Sequence, residues 1–293
     1  MRDSRERDIQ ALISMVDEPD PAVFSEIAEK IVGYGQTAFP ILDEAIHSTA
    51  DEELLKRLEE ISQRILFKQL SAGLEHWKNS EEQDLLTAWL HVSRYFYPDI
   101  NESEVHNGIE AIRKDVWLEM NENLTALEQI KVFNHVFYDL HRFSGNIDDY
   151  HNPDNSFVHK VLQSRSGNPL SIGVIYMLVA RSVDIPISGI NLPEHFVLAY
   201  MGDRLDADKM MAEHENALFY INAFSGGAVF STQEINEFLL KLGMEPLAAF
   251  FNPCSNRDII IRMLNNLIIA YEQVDRKNRV SGFKNLRDNL QNP

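Results

Sequence analysis

The sequence predicts an α+β chain that is predominantly helical, and three observations carry that prediction. Apolar residues recur at helical spacing across residues 5–77 and again across 81–140. Between residues 187 and 221 the pattern shortens to three strand-length runs. Helical spacing then returns from Asp258 onward. The expected organisation is a helical region over 1–78, a mixed domain with a helical lead-in over 79–245, and a helical pair over 246–293.

In the first region Asp20 suits an N-cap and Pro21 the first helical position, with Ala22, Ile27, Ile31 and Val32 near one face and Gly33 and Gly35 as breakers. The device repeats around Pro40, with Phe39, Ile41, Leu42, Ala45 and Ile46. Asp51 can cap the next helix, which carries Leu54, Leu55, Leu58, Ile61, Ile65 and Leu66. Short paired helices with interrupting glycines resemble HEAT repeats, and an irregular helical bundle is the competing reading.

Three more helical stretches follow, broken by Tyr97-Pro98-Asp99 and by Asn121-Glu122-Asn123. In the third, Leu124, Leu127, Ile130, Phe133, Val136 and Phe137 share a face, while Glu128 and Lys131 lie outside it. The aromatic residues here, Trp89, Tyr95, Phe96, Tyr97, Trp117, Phe133, Phe137 and Tyr138, are expected in a core. A polar loop spans 148–155, and Asp154 or Asn155 is placed to cap a short helix with Phe157, Val158, Val161 and Leu162.

The next helix organises the domain. Asn168 caps it, Pro169 takes its first position, and Leu170, Ile172, Val174, Ile175, Leu178 and Val179 make it apolar almost all round, so it is expected to be buried. Strands are expected over 187–192, 196–201 and 217–221, with a charged connection over 202–216 whose Asp206, Asp208, Glu213 and Glu215 read as solvated acids. Gly226-Gly227 marks a turn, and Ser231 or Thr232 caps a helix through Leu239. The last two helices, 258–271 and 281–290, pair through Ile260, Leu264, Leu267 and Ile268.

The chain's 27 basic and 45 acidic residues give a net charge of -18, and no basic run offsets it. Such a surface repels phosphate backbones and acidic headgroups, so neither nucleic acid nor membrane is an expected partner. The N-terminal residues lack the apolar core of a secretory signal, and the chain reads as cytoplasmic. Its single cysteine, Cys254, excludes an internal disulfide and a multi-cysteine zinc site. His151 and His159 have no further ligands at useful spacing, and no metal or cofactor is expected.

Chemistry is expected where the organising helix begins. Ser171 falls in its first turn, where backbone N–H groups lack intrahelical partners and the macrodipole favours an anion. With His195 at the start of one strand and Asn222 at the end of the next, the order is nucleophile, base, orienter.

Taken together, Asn155-Ser156-Phe157, Arg165-x-Gly167-x-Pro169-x-Ser171, Tyr176, Ala180-Arg181, Leu192-Pro193-x-His195-Phe196, Phe224-x-Gly226-Gly227 and Arg262-Met263-Leu264-x-Asn266-Leu267 resemble the SirB-type branch of the transglutaminase-like superfamily. The likeness covers roughly residues 85–290. It implies a papain-like core, a helix packed on a small antiparallel sheet, whose active members place Cys at the helix start, His on one strand and Asp on the next. His195 matches the histidine and Asn222 falls where the aspartate would be. The cysteine position is taken by Pro169 or, two residues on, by Ser171. Glu194 stands where the branch usually has glycine.

A helix-start cysteine beside a histidine ionises readily, whereas a serine hydroxyl needs a well-aligned base in the transition state. An amide in place of the orienting carboxylate can cost a serine triad about four orders of magnitude in turnover. The resemblance therefore implies a catalytically degenerate domain that binds a protein or peptide. The alternative is a Ser171/His195/Asn222 hydrolase or acyltransferase acting on an amide or ester.

Overall fold

The computed structural model describes residues 2–202, 217–273 and 277–292, so the acidic residues at 206, 208, 213 and 215 lie outside the described residues. The chain divides into two compact units, Met1–Asn79 with Arg94–Asp99, and Ser80–Ser93 with Ile100–Pro293. It is mostly helical with small sheets, an α+β fold. No helix among the described residues is long and apolar enough to cross a membrane.

The first unit holds α1 (Arg2–Ile13), α2 (Pro21–Tyr34), α3 (Phe39–Ser48) and α4 (Glu52–Lys78). Asp20 and Asp51 cap α2 and α4 by accepting backbone N–H bonds at 2.8 Å. Gly33 does not break α2. The helix runs on to Tyr34 and stops at Gly35, whose φ of 56° suits a residue without a Cβ. Ile27, Ile31, Leu42, Leu58, Ile61 and Ile65 form the core, together with Ala28, whereas Ala22 is exposed.

α5 (Leu85–Phe96) crosses the division between the units. The second unit continues with α6 (Glu102–Glu119) and α7 (Ala126–Asn134), the latter opened by a capping box between Thr125 and Glu128 and continued by a π-helical turn over His135–Leu140. Trp117 and Leu127, expected inside, are 61% and 48% exposed. α8 (Val158–Ser164) starts after Phe157 with no side-chain cap. The polar loop instead forms a 3-10 turn, Pro153–Ser156, capped by Asn152, so neither Asp154 nor Asn155 caps α8.

α9 (Pro169–Arg181) is buried along nearly its whole length, as its all-round apolar pattern requires. Short β1 (Ser144–Gly145) and β2 (Ser166–Gly167) pair in parallel just before it. A four-stranded antiparallel sheet follows in the order β3 (Ile187–Leu192), β4 (His195–Met201), β5 (Ala217–Asn222) and β6 (Ala228–Phe230). Gly173 lets α9 approach it, because a Cβ there would lie 2.9 Å from two ring carbons of Phe196 on β4. The opposite face carries Ile190, Leu192, Val197, Ala199 and Tyr220, packed against Ile235 and Leu239 of α10 (Thr232–Lys241) and against Phe251. α11 (Asn256–Gln273) and α12 (Lys277–Gln291) form the helical pair.

Candidate functional site

The start of α9 is held by Asn168, whose Oδ1 accepts the Ser171 N–H at 2.9 Å and whose Nδ2 donates to Ser156 Oγ at 3.0 Å. Pro169 follows, where a missing N–H costs nothing. The Ser171 hydroxyl donates to the Asn168 carbonyl oxygen at 3.1 Å, and the side chain is 1% exposed. Gly167 packs directly on that hydroxyl, leaving no space for a Cβ. The serine is thus built into the first turn of its own helix.

His195 begins β4, directly opposite Leu192 across the two-residue turn Pro193-Glu194. Glu194 has a φ of 58°, a backbone that favours glycine. Side chains alternate along a strand, so with Phe196 facing α9, His195 projects to the other face. There its ring lies 6.3 Å from that of Phe238 on α10. Burial pulls the imidazole pKa below its ordinary value and the Arg262 guanidinium adds to that, while donation of a ring N–H to the Asn222 side chain opposes both. No hydrogen bond joins Ser171 to His195 among the described residues.

Asn222 closes β5 and shares the face of His195. Its Oδ1 also accepts the Ser225 N–H at 3.1 Å, and its carbonyl accepts the Gly227 N–H at 3.0 Å. That turn is pinned from behind. Tyr138 donates its hydroxyl to the Ala223 carbonyl at 2.7 Å, and Asn134 Nδ2 donates to the Gly227 carbonyl at 3.0 Å. Asn134 Oδ1 in turn accepts from the buried Tyr176 hydroxyl of α9 at 2.9 Å. Of the three residues singled out from sequence, the fold brings His195 and Asn222 together and sets Ser171 apart.

Pro169, the other residue expected at the cysteine position, lines a cleft of about 570 Å³ with Tyr150, Asn168, Glu194, Arg262 and Asn266. Arg262 projects from α11, and its Nη1 donates to the Leu192 carbonyl at 2.7 Å and to Asn191 Oδ1. Arg262 falls within a sequence motif that assigns it no role. Its signal is a half-buried cation flanked along its helix by the buried Ile260, Met263, Leu264 and Leu267. Cys254 is no substitute nucleophile. Its thiol donates to the Gly189 carbonyl at 3.1 Å, and burial with the nearby Asp258 pushes its pKa up to about 12.

Residues 103–265, more than half of the chain, match the family profile described as Transglutaminase-like superfamily. The chain belongs to that superfamily. Within it the relatives include proteins of the SirB and UPF0162 type. A UPF0162 protein of Xylella fastidiosa (strain Temecula1) is 31% identical over 220 residues, covering 70% of this chain and 73% of that protein. Protein SirB1 of Salmonella typhimurium is 25% identical over 167 residues, 56% of this chain and 57% of that one. F-box only protein 21 of Mus musculus is 30% identical over 161 residues, which are 55% of this chain and 24% of that longer protein. No solved structure matches the chain.

Proposed function

We propose that this transglutaminase-like protein is catalytically degenerate and binds a protein or peptide segment in the cleft beside α9, without forming an acyl intermediate. The observation that carries this reading is the Ser171 hydroxyl, bonded to its own helix turn and on the other side of β4 from the imidazole. A serine so placed has no base to take its proton in the transition state. What the family scaffold retains is a cleft of ligand-binding size at the helix start. The chain's acidity and lone, half-buried cysteine fit a cytoplasmic protein, and the paired helices α1–α4 fit a HEAT-like contact surface.

The alternative, a Ser171/His195/Asn222 hydrolase or acyltransferase, has the His195–Asn222 pairing in its favour. It requires Ser171 to leave the Asn168 carbonyl and the imidazole to reach the α9 face. A serine-directed fluorophosphonate probe separates the two. The binding reading expects no labelling of Ser171, and labelling of the wild type that Ser171→Ala abolishes would overturn it.

A further inference from the structure

The guanidinium of Arg262 is only half engaged. Nη1 is spent on Leu192 and Asn191, which fixes the group against the β3–β4 turn. Nε and Nη2 bond nothing among the described residues, and no carboxylate among them pairs with the charge. Burial lowers its pKa from the usual guanidinium value, yet arginine keeps its proton in proteins. A partly desolvated cation without a counter-ion is costly, and the cost is recovered when an anion arrives.

The surroundings favour one kind of anion. The residues lining the cleft include one other formal charge, Glu194, exposed at the tip of the turn. The N-terminal turn of α9 faces the same space with the positive end of its dipole. Asn191, Asn265 and Asn266 supply amides of the kind that pair with peptide main chain. With Glu194 at the rim and a net charge of -18, a singly charged planar anion is accepted more readily than a phosphate dianion.

We propose that the cleft anchors a carboxylate-bearing peptide on the free Nε/Nη2 edge of Arg262. The inference rests on the binding reading and adds the class of ligand. The carboxylate comes from a peptide C-terminus or from an Asp or Glu side chain, and the test separates the two.

The full chain, immobilised, is offered four synthetic N-acetylated peptide pools, and retention is read by mass spectrometry. One pool has free C-termini and lacks Asp and Glu, one is C-amidated with a single Asp or Glu, one is C-amidated with neither, and one is amidated with a phosphoserine. One of the two carboxylate pools should be retained about tenfold over the uncharged pool, and Arg262→Gln should erase that ratio. Because Arg262→Gln also gives up the Leu192 bond, the wild-type ratio is decisive by itself. Equal retention of all pools, or preference for the phosphoserine pool, overturns the Arg262 inference and leaves peptide binding standing. Retention of none overturns both.

Discussion

The Ser171 hydroxyl and the Asn168 carbonyl oxygen lie 3.1 Å apart in a hydrogen bond that closes the first turn of α9. That carbonyl also accepts the Ile172 N–H at 3.1 Å, so removing the hydroxyl leaves no orphaned acceptor. Ser171→Ala should therefore cost no more than about 1 kcal/mol in chemical denaturation. Peptide retention should be unchanged; a large loss of binding would assign the serine a role at the cleft.

Asn168 does more than Ser171. It caps α9 and donates to Ser156 while 8% exposed, so Asn168→Ala removes the cap and strands a buried hydroxyl. A loss of about 2–3 kcal/mol is expected from urea unfolding. Asn168→Asp, which can still cap, should recover part of it. Equal losses for the two variants would contradict the capping role.

His195 titrates low because of burial first and Arg262 second. The folded state then binds this proton less readily than the unfolded chain. Its contribution to stability is complete above the ordinary value of 6.5 and is lost as pH falls below it. Burial shifts His159 in the same direction, so a residue-resolved NMR titration is needed. His195 should titrate below 6.5, lower still in Asn222→Ala and higher in Arg262→Gln. A wild-type midpoint above 6.5 would contradict the packing of its ring.

Two backbone positions make opposite predictions. Gly173→Ala drives a methyl into the Phe196 ring and should destabilise by about 1–3 kcal/mol in thermal or urea melts. Glu194→Gly relieves a left-handed backbone, partly offset by glycine's extra unfolded-state freedom, and should gain between about 0 and 1 kcal/mol. A clear loss at position 194 would show that the carboxylate contributes to the fold.

Where local chemistry decides structure, the sequence was readable. Asn168-Pro169 marked the start of α9, strand-length apolar runs marked β3 to β5, and Asp20 and Asp51 marked two helix starts. Where tertiary context decides, it was not. Gly33 is tolerated inside α2, Trp117 sits on an outward face of α6, and the π-helical turn after α7 has no local signature. At the site, residue order suggested three partners for one pocket. Strand alternation, fixed by Phe196 against Gly173, put His195 and Asn222 on one side of the sheet and α9 on the other. Arg262 became visible only when α11 reached the cleft.

The most direct test of non-covalent binding is the intact mass of the protein after incubation with p-nitrophenyl esters of cleft-binding peptides that keep their anchoring carboxylate free. The mass is expected to be unchanged under denaturing conditions, with peptide released in full. An acyl increment that maps to Ser171 and disappears in Ser171→Ala would contradict it.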